Sequence, residues 1–78
     1  MIRAGQETVR ESLLDGIHAS FGGEDETSVE STGEGKMMIS GWVDLFTDNG
    51  RHDRSNYSVV VYKDPATGWV GEHPTVIP

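Results

Sequence analysis

The stretch Lys36–Lys63, KMMISGWVDLFTDNGRHDRSNYSVVVYK, decides the fold. Asp48-Asn49-Gly50 lies between two runs rich in β-branched and aromatic residues, the strongest hairpin signal in the chain. A three-residue Asp48–Gly50 loop places Thr47 opposite Arg51. Met37 then faces Val61, Ile39 faces Val59, Gly41 faces Tyr57 and Asp44 faces Arg54. In that register Met37, Ile39, Val43, Leu45, Tyr57, Val59 and Val61 share one side of the ribbon. A two-residue Asn49-Gly50 turn would slip the pairing by one and mix apolar with polar residues on both faces. The three-residue register is therefore expected.

Around this hairpin, 78 residues make one small domain spanning 1–78, near the size where a single core only just offsets chain entropy. With 35% hydrophobic residues the core is thin, and association would add burial. There is no cysteine, so neither a disulfide framework nor a thiolate ligand or nucleophile exists. That fits a reducing, cytoplasmic setting, the host cytoplasm if the chain is phage-encoded. Met1-Ile2-Arg3 leads into polar residues without an apolar h-region, so no signal peptide is read. No apolar run approaches the roughly 18 residues that span a bilayer.

The net charge of −7 is unevenly placed. Between Glu7 and Glu34 stand Glu7, Glu11, Asp15, Glu24, Asp25, Glu26, Glu30 and Glu34 against the single base Arg10. Elsewhere acids and bases cancel. Such a segment makes a local negative field. It argues against direct binding of nucleic acid or an anionic membrane and points to a protein partner with a basic surface.

In chain order, residues 1–6 read as a lead-in. Val9, Leu13, Ile17 and Phe21 recur every four residues, with Leu14 beside them, and predict a helix over Thr8–Phe21. Thr8-Val9-Arg10-Glu11 matches a capping box, and Gly22-Gly23 a helix stop. Gly16 inside that helix would cost about 1 kcal/mol relative to alanine. Glu7, Glu11 and Asp15 line the helix's other face, where like charges at this spacing repel by roughly 0.2–0.5 kcal/mol per pair. Gly22–Glu26 forms an acidic loop. Thr27–Thr32 reads as a first strand with Val29 inward, and Gly33-Glu34-Gly35 as a turn into the hairpin. Asp64-Pro65-Ala66-Thr67-Gly68 is a second turn signal, followed by a strand over Trp69–Glu72 with Trp69 on the core side beside Val61. Pro74 and Pro78 make 74–78 an extended tail. The expected fold is α+β, one N-terminal helix on a four-stranded antiparallel meander, αββββ. Its expected core is Val9, Leu13, Ile17, Phe21, Val29, Ile39, Val43, Val59, Val61 and Trp69.

One short helix covers one face of such a sheet. The other face carries Met38, Trp42, Phe46, Val60 and Tyr62 among Ser40, Ser58, Asp44, Arg54 and His52. A contiguous apolar patch marks an interface, so these five are expected to meet a partner or a second copy unless the tail folds back over them.

Catalytic constellations are thin. His52 and Asp53 are adjacent on a strand and point to opposite faces, so they cannot form a base–orienter pair. His18 falls on the predicted helix and His73 precedes a proline, an arrangement without zinc-ligand spacing. Asp48-Asn49-Gly50 lacks the EF-hand spacing. Glu24-Asp25-Glu26 is a run of exposed carboxylates that makes no closed cation site. The glycine pairs lack the Lys-Ser/Thr ending of a phosphate loop. Arg51, His52 and Arg54, interleaved with Asp48 and Asp53, give only a small basic spot. No metal and no cofactor is expected.

Three function classes follow. The first is a non-enzymatic, acidic binding module that docks on the basic, nucleic-acid-binding face of a host protein through Glu7, Glu11, Asp15, Glu24, Asp25, Glu26 and Glu30. Small acidic phage-encoded inhibitors of host defence, anti-CRISPR proteins among them, are similar in size and charge. The second is an assembly protein that forms a homodimer through Met38, Trp42, Phe46, Val60 and Tyr62. The third is a small ligand-binding or enzymatic α+β domain using His52 or Tyr57.

Overall fold

In the computed structural model, which describes residues 1–77, the chain begins with helix α1 (Ile2–Glu11) and strand β1 (Ile17–Phe21). A single 3-10 turn, Glu24–Glu26, leads to β2 (Ser28–Gly33), β3 (Lys36–Thr47), β4 (His52–Asp64) and β5 (Gly68–Ile77). The α+β class holds: an N-terminal helix packs on an antiparallel sheet that curls into a half-barrel.

The central hairpin forms in the expected register. Ile39 pairs with Val59, Met37 with Val61, Gly41 with Tyr57 and Asp44 with Arg54. The Gly50 N–H donates to the Thr47 carbonyl at 3.0 Å, and the Thr47 N–H to that of Arg51 at the same distance. Gly50 has φ +91°, which glycine adopts without a Cβ clash. The second predicted turn also forms, with Asp64 Oδ1 accepting from the N–H groups of Ala66 and Thr67 at 2.7 and 3.2 Å.

The helix is displaced from its expected span. It occupies Ile2–Glu11, so residues 1–6 are not a lead-in, and Ile17–Phe21 is a strand on β3. A four-residue spacing is a multiple of the strand period of two as well as close to one helical turn. Ile17-His18-Ala19-Ser20-Phe21 alternates apolar with polar, and that pattern wins. Gly16, with φ +84°, stands in the link between helix and strand. Thr8 makes no N-terminal cap; its hydroxyl donates to the Ala4 carbonyl within the helix at 3.1 Å.

The sheet accordingly has five strands. β1 and β2 both pair with β3, at its two ends, and together form one interrupted edge; the order across is β1/β2, β3, β4, β5. The expected tail is sheet as well: Thr75, Val76 and Ile77 pair with Ser58, Tyr57 and Asn56, while Pro78 lies outside the described residues.

Val9, Ile39, Val43, Tyr57, Val59 and Val61 form the buried core, with Ile2, Phe21, Leu45 and Trp69 packed around them. Val29 faces inward opposite Ile39 but stays 38% exposed, because β2 is the outermost strand. Leu13 and Ile17 are half-buried at the margin. Glycine sets how closely α1 seats. A Cβ on Gly5 would lie 2.9 Å from Val59 Cγ1 and 3.1 Å from Val61 Cγ1, and one on Gly71 would lie 2.7 Å from Thr8 Cβ.

Candidate functional site

The acidic residues separate into two groups with different surroundings. Glu7 is paired with Arg10 at 2.7 Å, and Glu7 and Glu11 flank a cleft between α1 and β5 that Thr67, Trp69 and Gly71 also line. Asp15 lies in the link after α1, so Glu7, Glu11 and Asp15 do not form the single helix stripe expected of them. The second group sits on the β1/β2 edge, at the other end of the strand order. Gly22–Gly35 carries Glu24, Asp25, Glu26, Glu30 and Glu34 and no base.

That edge is built on a fixed turn. The Glu26 N–H donates to the Gly23 carbonyl at 3.0 Å, the Thr27 N–H to that of Glu24 at 3.2 Å, and the Thr27 hydroxyl to that of Gly23 at 2.8 Å. Trp42 anchors the turn from below: its indole N–H donates to Glu26 Oε2 at 3.1 Å, and the Gly22 N–H donates to the Trp42 carbonyl at 3.2 Å. A Cβ on Gly22 would come within 2.6 Å of the indole. Glycine here makes room for the tryptophan, a role that a sequence reading of Gly22-Gly23 as a helix stop does not reveal.

Outside this edge half of the carboxylates are ion-paired among the described residues: Glu7, Asp44, Asp48 and Glu72 are, whereas Glu11, Asp15, Asp53 and Asp64 are not. Asp44 accepts two hydrogen bonds from the Arg54 guanidinium, at 2.8 and 3.1 Å, with His52 at 3.7 Å. The Arg54 hydrogen bond holds the Asp44 carboxyl below its ordinary pKa, against a smaller opposing effect of desolvation. Lys36 and Glu72 pair at 2.8 Å across the sheet. Their hydrogen bond raises the Lys36 pKa and lowers that of Glu72. Asp48 meets His18 at 2.8 Å, which places His18 at the hairpin tip, away from the helix on which the sequence put it. Among the described residues, Glu24, Asp25, Glu26, Glu30 and Glu34 take part in no ion pair.

The outer face carries Met38, Trp42, Phe46, Val60 and Tyr62 as the register requires, but cations and polar rows interrupt it. The Arg54 guanidinium lies 3.8 Å from the Trp42 ring centre, and the Lys36 ammonium 5.6 Å from that of Tyr62. Only Phe46 of the five is exposed; it stacks on His18 at 5.4 Å. The Ser40–Ser58 pair separates Trp42 from Met38 and Val60.

On the inner face, α1 stops short of the hairpin tip and leaves an open cleft of about 540 Å³. Ile17, Leu45, Arg51, Asp53 and Ser55 are among its walls. Asp53 therefore faces away from His52, as the strand alternation requires. Tyr57 is buried, its hydroxyl accepting from Gln6 Nε2 at 3.1 Å and its ring meeting Phe21 edge-on. Among the described residues no group of three or more His, Cys, Asp or Glu side chains is placed to hold a metal ion. Among the described residues no helix is long and apolar enough to cross a membrane.

Compared with protein-family models, curated proteins and solved structures, the chain matches none.

Proposed function

We propose that the protein is a non-enzymatic binding module whose acidic β1/β2 edge docks on a basic, nucleic-acid-binding face of another protein, as a phage-type inhibitor of a host factor would. One observation carries this reading. The carboxylates of α1, β3 and β5 include ion-paired members, whereas among the described residues the five on Gly22–Gly35 have no ion-pair partner and share one exposed edge. Carboxylates fixed on a sheet edge and a hydrogen-bonded turn present negative charge to a basic cleft much as nucleic-acid phosphates do. Their field also steers encounter, most strongly at low salt.

The cation-capped outer face supports the competing reading, a homodimer, less well, since Arg54 and Lys36 already lie over two of its aromatic rings. The test compares the wild type with Glu24→Gln/Asp25→Asn/Glu26→Gln on a panel of purified nucleic-acid-binding proteins. The expected result is capture at low salt that added salt or duplex DNA reverses, with a slower association rate for the triple variant. Binding that ignores salt, DNA and the three substitutions would overturn the proposal.

A further inference from the structure

The two edges of the sheet differ in kind. β5 is closed to further pairing: between its contacts with Val60 and Ser58 it inserts His73 and Pro74, with His73 at φ +53°. A bulge and a proline are devices that keep an edge strand from recruiting another. β2 has no proline, and its own register shift falls between Ser31 and Gly33, which leaves Ser28–Ser31 regular. Among the described residues it pairs with β3 alone, and all six of its residues are exposed.

The phase of the hydrogen bonds identifies which β2 groups are free. Thr47 bonds across to Arg51, so odd-numbered β3 residues direct their backbone groups toward β4 and even-numbered ones toward the β1/β2 side. The Gly22 N–H on the Trp42 carbonyl confirms that phase. Ser28 and Glu30, opposite Ser40 and Met38, therefore bond to β3. Val29 and Ser31 turn their N–H and C=O groups outward.

We infer that the free edge of β2 is a strand-addition site for an extended segment of another protein that alternates basic and apolar residues. Main-chain pairing at Val29 and Ser31 supplies affinity. Side chains beside Glu30, between the Glu24–Glu26 turn and Glu34, are selected for positive charge, and those beside the half-exposed Val29 for apolar character. A second copy is disfavoured as the occupant: β2 against β2 would align two segments that each carry five acids and no base. The inference rests on the proposed acidic docking and adds its geometry.

The test uses a synthetic peptide alternating lysine and valine, long enough to span Ser28–Ser31, and two N-methylated forms, one at the valine amides and one at the lysine amides. Methylation keeps the charge and removes donors on one side of the peptide strand only. Strand addition predicts that one methylated form loses about tenfold or more in affinity while the other binds like the parent. It also predicts slowed amide exchange at Val29 and Ser31 on binding, with Ser28 and Glu30 already protected in the free protein. Val29→Pro, which removes an outward N–H and leaves the β3 ladder intact, should abolish binding. Equal binding by all three peptides would overturn strand addition and leave charge-driven docking standing. No binding of any peptide at low salt would count against both. Protection of Val29 and Ser31 at high protein concentration without peptide would assign the edge to a second copy and overturn the inference.

Discussion

Replacing Gly5 by alanine tests how the helix is seated on the sheet. The added methyl would lie 2.9 Å from Val59 Cγ1, 3.1 Å from Val61 Cγ1 and 3.2 Å from Ile39 Cδ1, all on fully buried or nearly fully buried side chains. Helix propensity favours alanine by about 1 kcal/mol. Overpacking costs about 1–3 kcal/mol, and the β-branched Val59 has little rotamer freedom with which to yield. Overpacking should win, for a net loss of about 1 kcal/mol. A Val59→Ala background removes the closest obstructing methyl and leaves a space into which Val61 Cγ1 and Ile39 Cδ1, at 3.1 and 3.2 Å from the added carbon, can yield. The same change at Gly5 should then stabilise by up to about 1 kcal/mol. The sign reversal amounts to a coupling of about 2 kcal/mol between the two positions. Urea unfolding measures it, provided the m-value is unchanged across the four proteins. A Gly5→Ala variant that stabilises equally in both backgrounds would refute the packing, because a loosely held or solvated segment responds to propensity alone.

Ile39→Ala should cost about 2–4 kcal/mol in the same assay, since it opens a cavity at a fully buried site in the central pair. Gly16→Ala should cost about 1–2 kcal/mol from backbone strain alone; the position has φ +84° and nothing within 4 Å of the added carbon, so a neutral effect would argue against the link geometry. Gly22→Ala should destabilise by about 1–3 kcal/mol and shift the Trp42 indole N–H resonance, as the methyl displaces the ring that holds the acidic turn. Asp44 has a pKa lowered in the fold from an ordinary value of 3.8, so its contribution is present above that value and fades as pH falls through the depressed one. Asp44→Asn should flatten the acid limb of stability against pH; an unchanged slope would mean that the Arg54 pairing carries no linkage.

Residues close in sequence, or aligned by one turn, were legible from composition and period. The Asp48–Gly50 loop fixes the β3–β4 register, and the register fixes the faces, because a strand's side chains alternate without exception until a bulge intervenes. The five large apolar residues of the outer face and the separation of His52 from Asp53 follow from that, while the acidic excess between Glu7 and Glu34 is read directly from composition. Other features depended on tertiary contacts. Val9, Leu13, Ile17 and Phe21 satisfy both a helical and a strand reading, and only the open side of β3 at Val43–Thr47 decides for the strand. The seat of α1 rests on Gly5 and Gly71, whose absent side chains matter through what approaches them from distant parts of the chain. Trp42 reads from sequence as an interface residue. In the fold it becomes the anchor of Glu26, because sheet pairing brings Gly22 against its ring. Charge magnitude is a property of composition, but which carboxylates remain without a cation is set by cross-strand neighbours, and those exist only once the sheet has formed.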